Sequence, residues 1–249
     1  MNKKATRGFT LIEIAIVLVI IGLLLGGVLK GQELIVSARV RNLISQQEGI
    51  KAAFFGFQDR YRALPGDYAS ANVNINCSGG CLNGDGNGQI NAAGAAAGPN
   101  TTKLEDLNVW THLTAAGFLN GAYNLKAADT RPVDTNSPKN PYSVFLALAW
   151  DNDWGNVSVS KHNLKTGSQI PIEIVAEVDR KVDDGRPFSG SFQFSTFVPA
   201  GGTFTAPSIG SLTSGCTRKA DGSAAGTGAI DDIWYVIGAD TNCGAVSLF

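Results

Sequence analysis

A long apolar run follows a short basic segment at the start of the chain. No charged residue occurs from Ile14 to Leu29, and residues 9–12 continue the run on the other side of a single acid, Glu13. About 20 apolar residues are enough for a helix to cross the hydrocarbon core of a bilayer. The pattern therefore predicts a transmembrane helix with one carboxylate near its start.

Beyond Lys30 the apolar residues alternate with polar ones at helical spacing, and no proline occurs before Pro65. These features predict one helix over residues 9–62, in which residues 9–30 form a membrane and assembly half and the remainder an amphipathic half. Glycines within residues 22–31 have two interpretations. They either allow close helix packing in the membrane or let the helix unwind locally.

The remaining residues, 63–249, predict a globular domain outside the cytoplasm, because basic residues before an apolar segment keep the N-terminus cytoplasmic. Elements expected in this domain are helices at 102–121 and 171–182 and strands at 142–150, 156–160, 192–194 and 233–238. In the first of these helices, Thr102 and Glu105 predict a capping box. The expected fold class is α+β, with the long helix packed on a largely antiparallel sheet that carries loop insertions.

Charge and motif content exclude several functional classes. Lys and Arg number 20 and Asp and Glu number 21, so the chain lacks the basic excess of a general nucleic-acid binder. The common serine-hydrolase, zinc-protease and phosphate-loop motifs are missing. His112 and His162 are the only histidines. We therefore expect no enzyme, and a membrane-tethered hydrolase with an unrecognised site is the alternative.

Four cysteines follow the apolar segment, which favours disulfides formed in an oxidising compartment. Sequence alone allows three pairings, of which we favour the two that close short loops. A structural zinc site is the alternative, although neither histidine is close in sequence to a cysteine. The favoured pairs are Cys77–Cys81 and Cys216–Cys243.

Two groups of oxygen-bearing side chains are candidate cation sites. The first lies in a glycine- and asparagine-rich loop and resembles the first half of an EF-hand loop, although the expected glutamate at its end is Gly94. Its candidate calcium ligands are Asn83, Asp85, Asn87 and Gln89, with Asp67, Glu105 or Asp106 as sources of the missing charge. A flexible turn is the alternative. The second group, Asp179, Asp183 and Asp184, either binds a cation or caps a turn.

The string RGFTLIEIAIVLVIIGLLL resembles the N-terminal signature of type IV prepilins and type II secretion pseudopilins. The resemblance implies that prepilin peptidase removes residues 1–8 by cutting between Gly8 and Phe9, and that the new Phe9 amine is methylated. It also implies that Glu13 contacts this amine on an adjacent subunit. Many pilins have a proline where this chain has Lys30, so a break in the helix here must depend on glycines.

The function implied by this resemblance is a structural subunit of a type IV pilus-like filament or a type II secretion pseudopilus. Expected partners are prepilin peptidase, the inner membrane, other pilin or pseudopilin subunits and the assembly platform, without nucleic acid. The expected location is the bacterial inner membrane, with a single pass and a cytoplasmic leader, and then a periplasmic or extracellular filament. The alternative is a minor tip or adhesin subunit that binds a surface ligand. No cofactor is required, and calcium is the candidate ion.

Segments of the body resemble a recurring type of proteobacterial pilin-like protein and imply no activity of their own. They are LPGDY, NGDGNGQI, VWTHLTAAGFL and VDRKVDDGRPFSG. The resemblance does not distinguish a pilus from a secretion pseudopilus.

Overall fold

A computed structural model of the chain describes residues 10–77, 81–91, 104–155, 158–200, 205–208, 215–221 and 232–249. The chain divides into two compact units between Arg39 and Val40. The helices are α1 (Leu11–Tyr61), α2 (Ala71–Asn74), α3 (Glu105–Ala115), α4 (Ile172–Val182) and a 3₁₀ turn at Val236–Gly238. The strands are β1 (Ala147–Asp151), β2 (Lys161–Lys165), β3 (Phe192–Phe194), β4 (Thr217–Lys219), β5 (Asp232–Trp234) and β6 (Ala245–Leu248).

Helix α1 confirms the predicted long N-terminal helix, and its two parts differ in burial. Its first part, up to Arg39, has no buried residue. In its second part, buried residues at helical spacing form one stripe that is apolar except for Gln47. The helix ends where Arg62 adopts a left-handed φ of 53°, just before Pro65. The buried apolar residues of the stripe are Val40, Leu43, Ile50, Ala53, Phe54 and Phe57.

Two antiparallel sheets form the β-structure, which confirms the α+β class. The larger has the strand order β1-β2-β6-β3, and the smaller pairs β4 with β5. Side chains from β1 and β2, Leu148 and Leu164, belong to the same core cluster as Phe57 of α1 and Trp110 of α3. The second part of α1 and α3 therefore cover one face of the larger sheet.

Two predicted strands are wrong in position. Residues 158–160 are not a strand, residues 156 and 157 lie outside the described residues, and β2 begins only at Lys161. The buried side chains of β2 include Asn163 and Lys165, so polar residues hide this strand from a hydrophobic pattern. Of the predicted strand at 142–150, only the part from Ala147 is paired in β1.

The predicted last strand, 233–238, is also wrong. Strand β5 ends at Trp234, and the apolar residues that follow form a 3₁₀ turn in which Ile237 is 90% exposed. The final strand is β6, in the centre of the larger sheet. Its four residues are too short a pattern for the sequence to reveal. Strand β3 and helix α4 lie where they were predicted.

Candidate functional site

The first described residues of α1 form a reciprocal cap on the helix. The backbone N–H and the hydroxyl of Thr10 both donate to Oε2 of Glu13 at 2.8 Å, and the Glu13 N–H lies 3.4 Å from Thr10 Oγ1. This is a capping box, in which the residue before the helix and its third residue satisfy each other's backbone donors. The single carboxylate of the apolar segment therefore has a partner within its own chain. The predicted processing residues, Gly8 and Phe9, lie outside the described residues.

The T-x-x-E spacing of residues 10–13 is the signal by which sequence reasoning could have found this cap. The same T-x-x-E spacing at Thr102 and Glu105 predicts a capping box there, and that prediction is wrong. Thr102 lies outside the described residues, and α3 begins at Glu105 itself, after Leu104. The Glu105 carboxylate accepts the backbone N–H groups of Asp85 and Asn91 instead of a donor at the start of its own helix.

The large apolar side chains of residues 11–35 lie on the surface of α1. Their exposed fractions range from 46% at Ile21 to 91% at Leu11. An 18-residue window of this helix has a mean hydropathy of 2.8 and no buried residue, so its length and composition suit a membrane span. Such a surface is unfavourable in water and needs lipid or other apolar helices to cover it.

The four side chains predicted to bind calcium make different contacts. Only one of them, Asp85, lies in a cluster of carboxylates. Asn83 Oδ1 accepts the Asn72 N–H at 2.9 Å, and Asn87 Oδ1 accepts the Gln89 N–H at 2.7 Å. The Asn87 bond turns the loop locally, whereas the Asn83 bond ties the loop to α2. Each bond occupies one lone pair of an oxygen that the EF-hand comparison assigned to an ion. The Gln89 side chain is on an exposed residue.

Two acids from elsewhere in the chain complete the cluster. Ligand oxygens of Asp67, Asp85 and Glu105 lie within 4.8 Å of one another. Asp67 follows the turn after α1, and Glu105 is the first residue of α3, so the fold brings three distant segments together. Both residues are buried, with exposures of 4% and 0%.

Backbone donors of the loop hold the two buried carboxylates in position. Asp67 accepts the N–H groups of Gly86, Asn87 and Gly88 at 2.7–3.0 Å. Glu105 accepts those of Asp85 and Asn91 at 2.9 and 3.0 Å. The loop can approach so closely because Gly84 packs on Asp67, where a Cβ would meet the Asp67 backbone at 2.2 Å.

Burial raises the pKa of both carboxyls in this cluster. Desolvation is the largest cause, and it raises the pKa of Asp67 to about 6 against the effect of the backbone donors. For Glu105 it raises the pKa to about 7, with the charges of Asp67 and Asp85 adding to the effect. Three crowded carboxyl groups must either retain protons or share a cation. An all-oxygen donor set of this charge fits a hard divalent ion such as Ca²⁺.

Both histidines have structural surroundings. His112 is buried in α3, where its Nδ1 accepts the Gly66 N–H at 2.9 Å and its Nε2 lies 2.9 Å from the carbonyl of Leu82. Burial lowers its pKa to about 4, so the ring is neutral and donates to Leu82. His162 packs edge-on against Trp150. Neither contact set includes a nucleophile, so neither histidine forms a catalytic pair among the described residues.

Both favoured disulfides are present in the structure. Cys77 bonds to Cys81 with a Cα–Cα distance of 5.2 Å, and Cys216 bonds to Cys243 with one of 5.6 Å. The described residues contain no free cysteine. The thiols that a zinc site would need are therefore used in covalent bonds.

Comparison with known proteins gives one match, at the N-terminus. Residues 3–29 match the family model of the prokaryotic N-terminal methylation motif. No curated protein and no solved structure matches the chain. The matched range contains the predicted cleavage position, the capping pair and most of the exposed apolar surface. The chain thus carries the prokaryotic N-terminal methylation motif, which is the leader signature of type IV prepilins.

Proposed function

We propose that this protein is a structural subunit, a pilin or pseudopilin, of a type IV pilus-like filament or a type II secretion pseudopilus. The observation that carries the proposal is the methylation motif at residues 3–29 on a helix whose apolar side chains are exposed. Prepilin peptidase removes residues 1–8 and methylates Phe9. The remaining helix anchors the protein in the inner membrane and later packs against other subunits at the assembly platform. Residues 63–249 form the domain outside the cytoplasm.

The capping box suggests that Glu13 changes its hydrogen-bond partner when the subunit assembles. Before assembly, Thr10 partners the carboxylate, which lowers the cost of placing it at the membrane. During assembly, the Phe9 amine of a neighbouring subunit offers a positive charge. A charge-assisted hydrogen bond is stronger than a neutral one in surroundings of low polarity. Exchange of partners at Glu13 would then set the axial register between subunits.

The variant Glu13→Ala tests this assembly step. We expect its recovery in sheared filaments to fall at least about tenfold, since the loss of a charge pair in lipid amounts to more than about 1.4 kcal/mol. Glu33→Gln is the matched control, because Glu33 is an acid of the same helix whose partner, Lys30, is 2.6 Å away in its own chain. Mass spectrometry of the filaments should find N-methylated Phe9.

Two results would contradict the proposal. One is wild-type recovery of Glu13→Ala in filaments, and the other is an assembled protein that retains Met1. A deletion scored for surface fibres and for protein export separates a pilus from a secretion pseudopilus.

The second candidate function is a minor tip or adhesin subunit that binds a surface ligand with the help of calcium. The cluster of Asp67, Asp85 and Glu105 favours the calcium part of this candidate, because it gathers three carboxylates under a fixed surface loop. Abundance distinguishes the two functions. A major subunit dominates purified filaments, whereas a tip subunit is scarce and is needed for attachment.

Calorimetric titration of the full-length protein in detergent tests calcium at this cluster. We expect Asp85→Asn to lose the heat of binding at this cluster and Asn83→Ala, whose oxygen bonds to Asn72 outside the cluster, to retain it. Saturation at about 100 times Kd should stabilise the wild type by about 2.7 kcal/mol. Equal titrations of Asp85→Asn and the wild type would refute the site.

A further inference from the structure

A second group of carboxylates lies at the C-terminal end of α4. Ligand oxygens of Asp179, Asp183 and Asp184 lie within 4.8 Å of one another. Asp179 is in the last turn of the helix, and Asp183 is the first residue after it. This group is separate from the cluster formed by Asp67, Asp85 and Glu105.

Asp179 is buried, and only one of its two carboxylate oxygens accepts a well-formed hydrogen bond within the part of the chain that the structure describes. The residue has 0% exposure, and its Oδ2 accepts the indole N–H of Trp234 at 2.6 Å. Its Oδ1 is also shielded from solvent, yet it accepts no hydrogen bond of good geometry from the described residues. A buried carboxylate oxygen that lacks a well-formed hydrogen bond is destabilising unless a proton or a cation joins it.

Neighbouring negative charges further destabilise the ionised Asp179 carboxylate. Asp184 and Asp183 place two further negative charges beside the buried carboxylate, and the N–H groups of Trp234 and Gly185 offset them only in part. The two basic residues of the same turn face another acid. Arg180 and Lys181 both pair with Glu177, at 3.2 and 2.9 Å.

Backbone and hydroxyl donors of the next loop orient the other two carboxylates. Asp183 Oδ2 accepts the N–H groups of Ser191 and Phe192. Asp184 accepts the Arg186 N–H at 2.9 Å and the Ser189 hydroxyl at 2.5 Å. Oδ2 of Asp183 is filled by its two donors, so a cation would use the other oxygen of Asp183. Each Asp184 oxygen accepts one of its two donors and keeps a second lone pair for a cation. The three side chains thus need little rearrangement to surround an ion.

We propose that Asp179, Asp183 and Asp184 bind a calcium ion, with Oδ1 of Asp179 as its buried ligand. The ligands are all oxygens, without the nitrogen or sulfur that zinc prefers. Bound calcium neutralises the buried charge and fixes the end of α4. Through Asp179 and Trp234 it also joins this helix end to β5.

Terbium luminescence tests this site, because Tb³⁺ can stand in for Ca²⁺ and accept energy from a nearby indole. The full-length protein in detergent is freed of cations and titrated with Tb³⁺ under tryptophan excitation. We expect sensitised emission that Ca²⁺ displaces. Asp179→Asn should abolish this component, and Trp234→Phe should reduce the emission while calcium still raises Tm. The control Asp85→Asn alters the other cluster and should retain the component.

Asp184→Asn decides the result if Asp179→Asn fails to fold, since residue 184 is exposed and its loss does not disturb the core. We expect it to weaken Ca²⁺ binding at least about tenfold, because one of three ligand charges is removed. Three results would each overturn the proposal. Asp184→Asn could bind Ca²⁺ with wild-type affinity, the emission could be lost only in Asp85→Asn, or the protein could bind no calcium at millimolar concentration. None of these outcomes bears on filament assembly.

Discussion

At the scale of single residues, neighbours in space decide what each polar group does. Glu13 caps its own helix through Thr10, and Asp67 holds a loop through three backbone N–H groups. Lys165 has only 2% of its side chain exposed and is neutralised by Asp151 at 2.5 Å. Residue type alone indicates only that such groups need partners when they are buried.

His112 should make the stability of the protein depend on pH. Its pKa is about 4 in the folded chain, because burial disfavours the charged ring, and about 6.5 in an unfolded chain. Between these values only the unfolded chain binds the proton, so stability is complete above pH 6.5 and falls as the pH drops towards 4. The expected loss from this residue between pH 7 and pH 5 is about 2 kcal/mol.

Urea unfolding of the wild type and of His112→Gln at pH 7 and pH 5 measures this contribution. The carboxyls with raised pKa values, such as Glu105, act in the opposite direction, but they are present in both proteins and cancel in the comparison. We expect the wild type to lose more stability than the variant on acidification. An identical loss in the two proteins would show that His112 does not titrate in this way.

At the scale of elements, disulfide bonds fix short strands and loops whose few backbone hydrogen bonds alone would stabilise them weakly. The Cys216–Cys243 bond joins the start of β4 to the segment before β6, and both of its residues are fully buried. The Cys77–Cys81 bond closes a loop of only four residues' separation. A disulfide that closes a longer loop removes more entropy from the unfolded chain.

Removal of the two disulfides should therefore have unequal effects. The double variant Cys216→Ala/Cys243→Ala should lose about 3.5 kcal/mol of unfolding free energy, and Cys77→Ala/Cys81→Ala about 2 kcal/mol. Each variant serves as the other's control, since both remove one bond and two sulfur atoms. Denaturant unfolding in detergent gives both values, and the reverse order would contradict the loop-length argument.

At the scale of the whole molecule, each compact unit has its own source of stability. Residues 40–249 bury a core that combines the second part of α1 with α3 and the larger sheet. The described residues before Val40 bury no apolar core of their own, so their helix depends on lipid or on other subunits. Such a helix suits the move from membrane to filament that the proposed function requires.

The sequence by itself determined the N-terminal signature, the long helix and the α+β class. These follow from local order and periodicity, which a single segment carries. Only the tertiary structure decided that Asp67 and Glu105 meet Asp85, that Asn83 bonds to Asn72 of α2, and that β2 and β6 form the sheet centre. The physical reason is that these roles arise from contacts between residues far apart in the chain, where burial and partner geometry override local pattern.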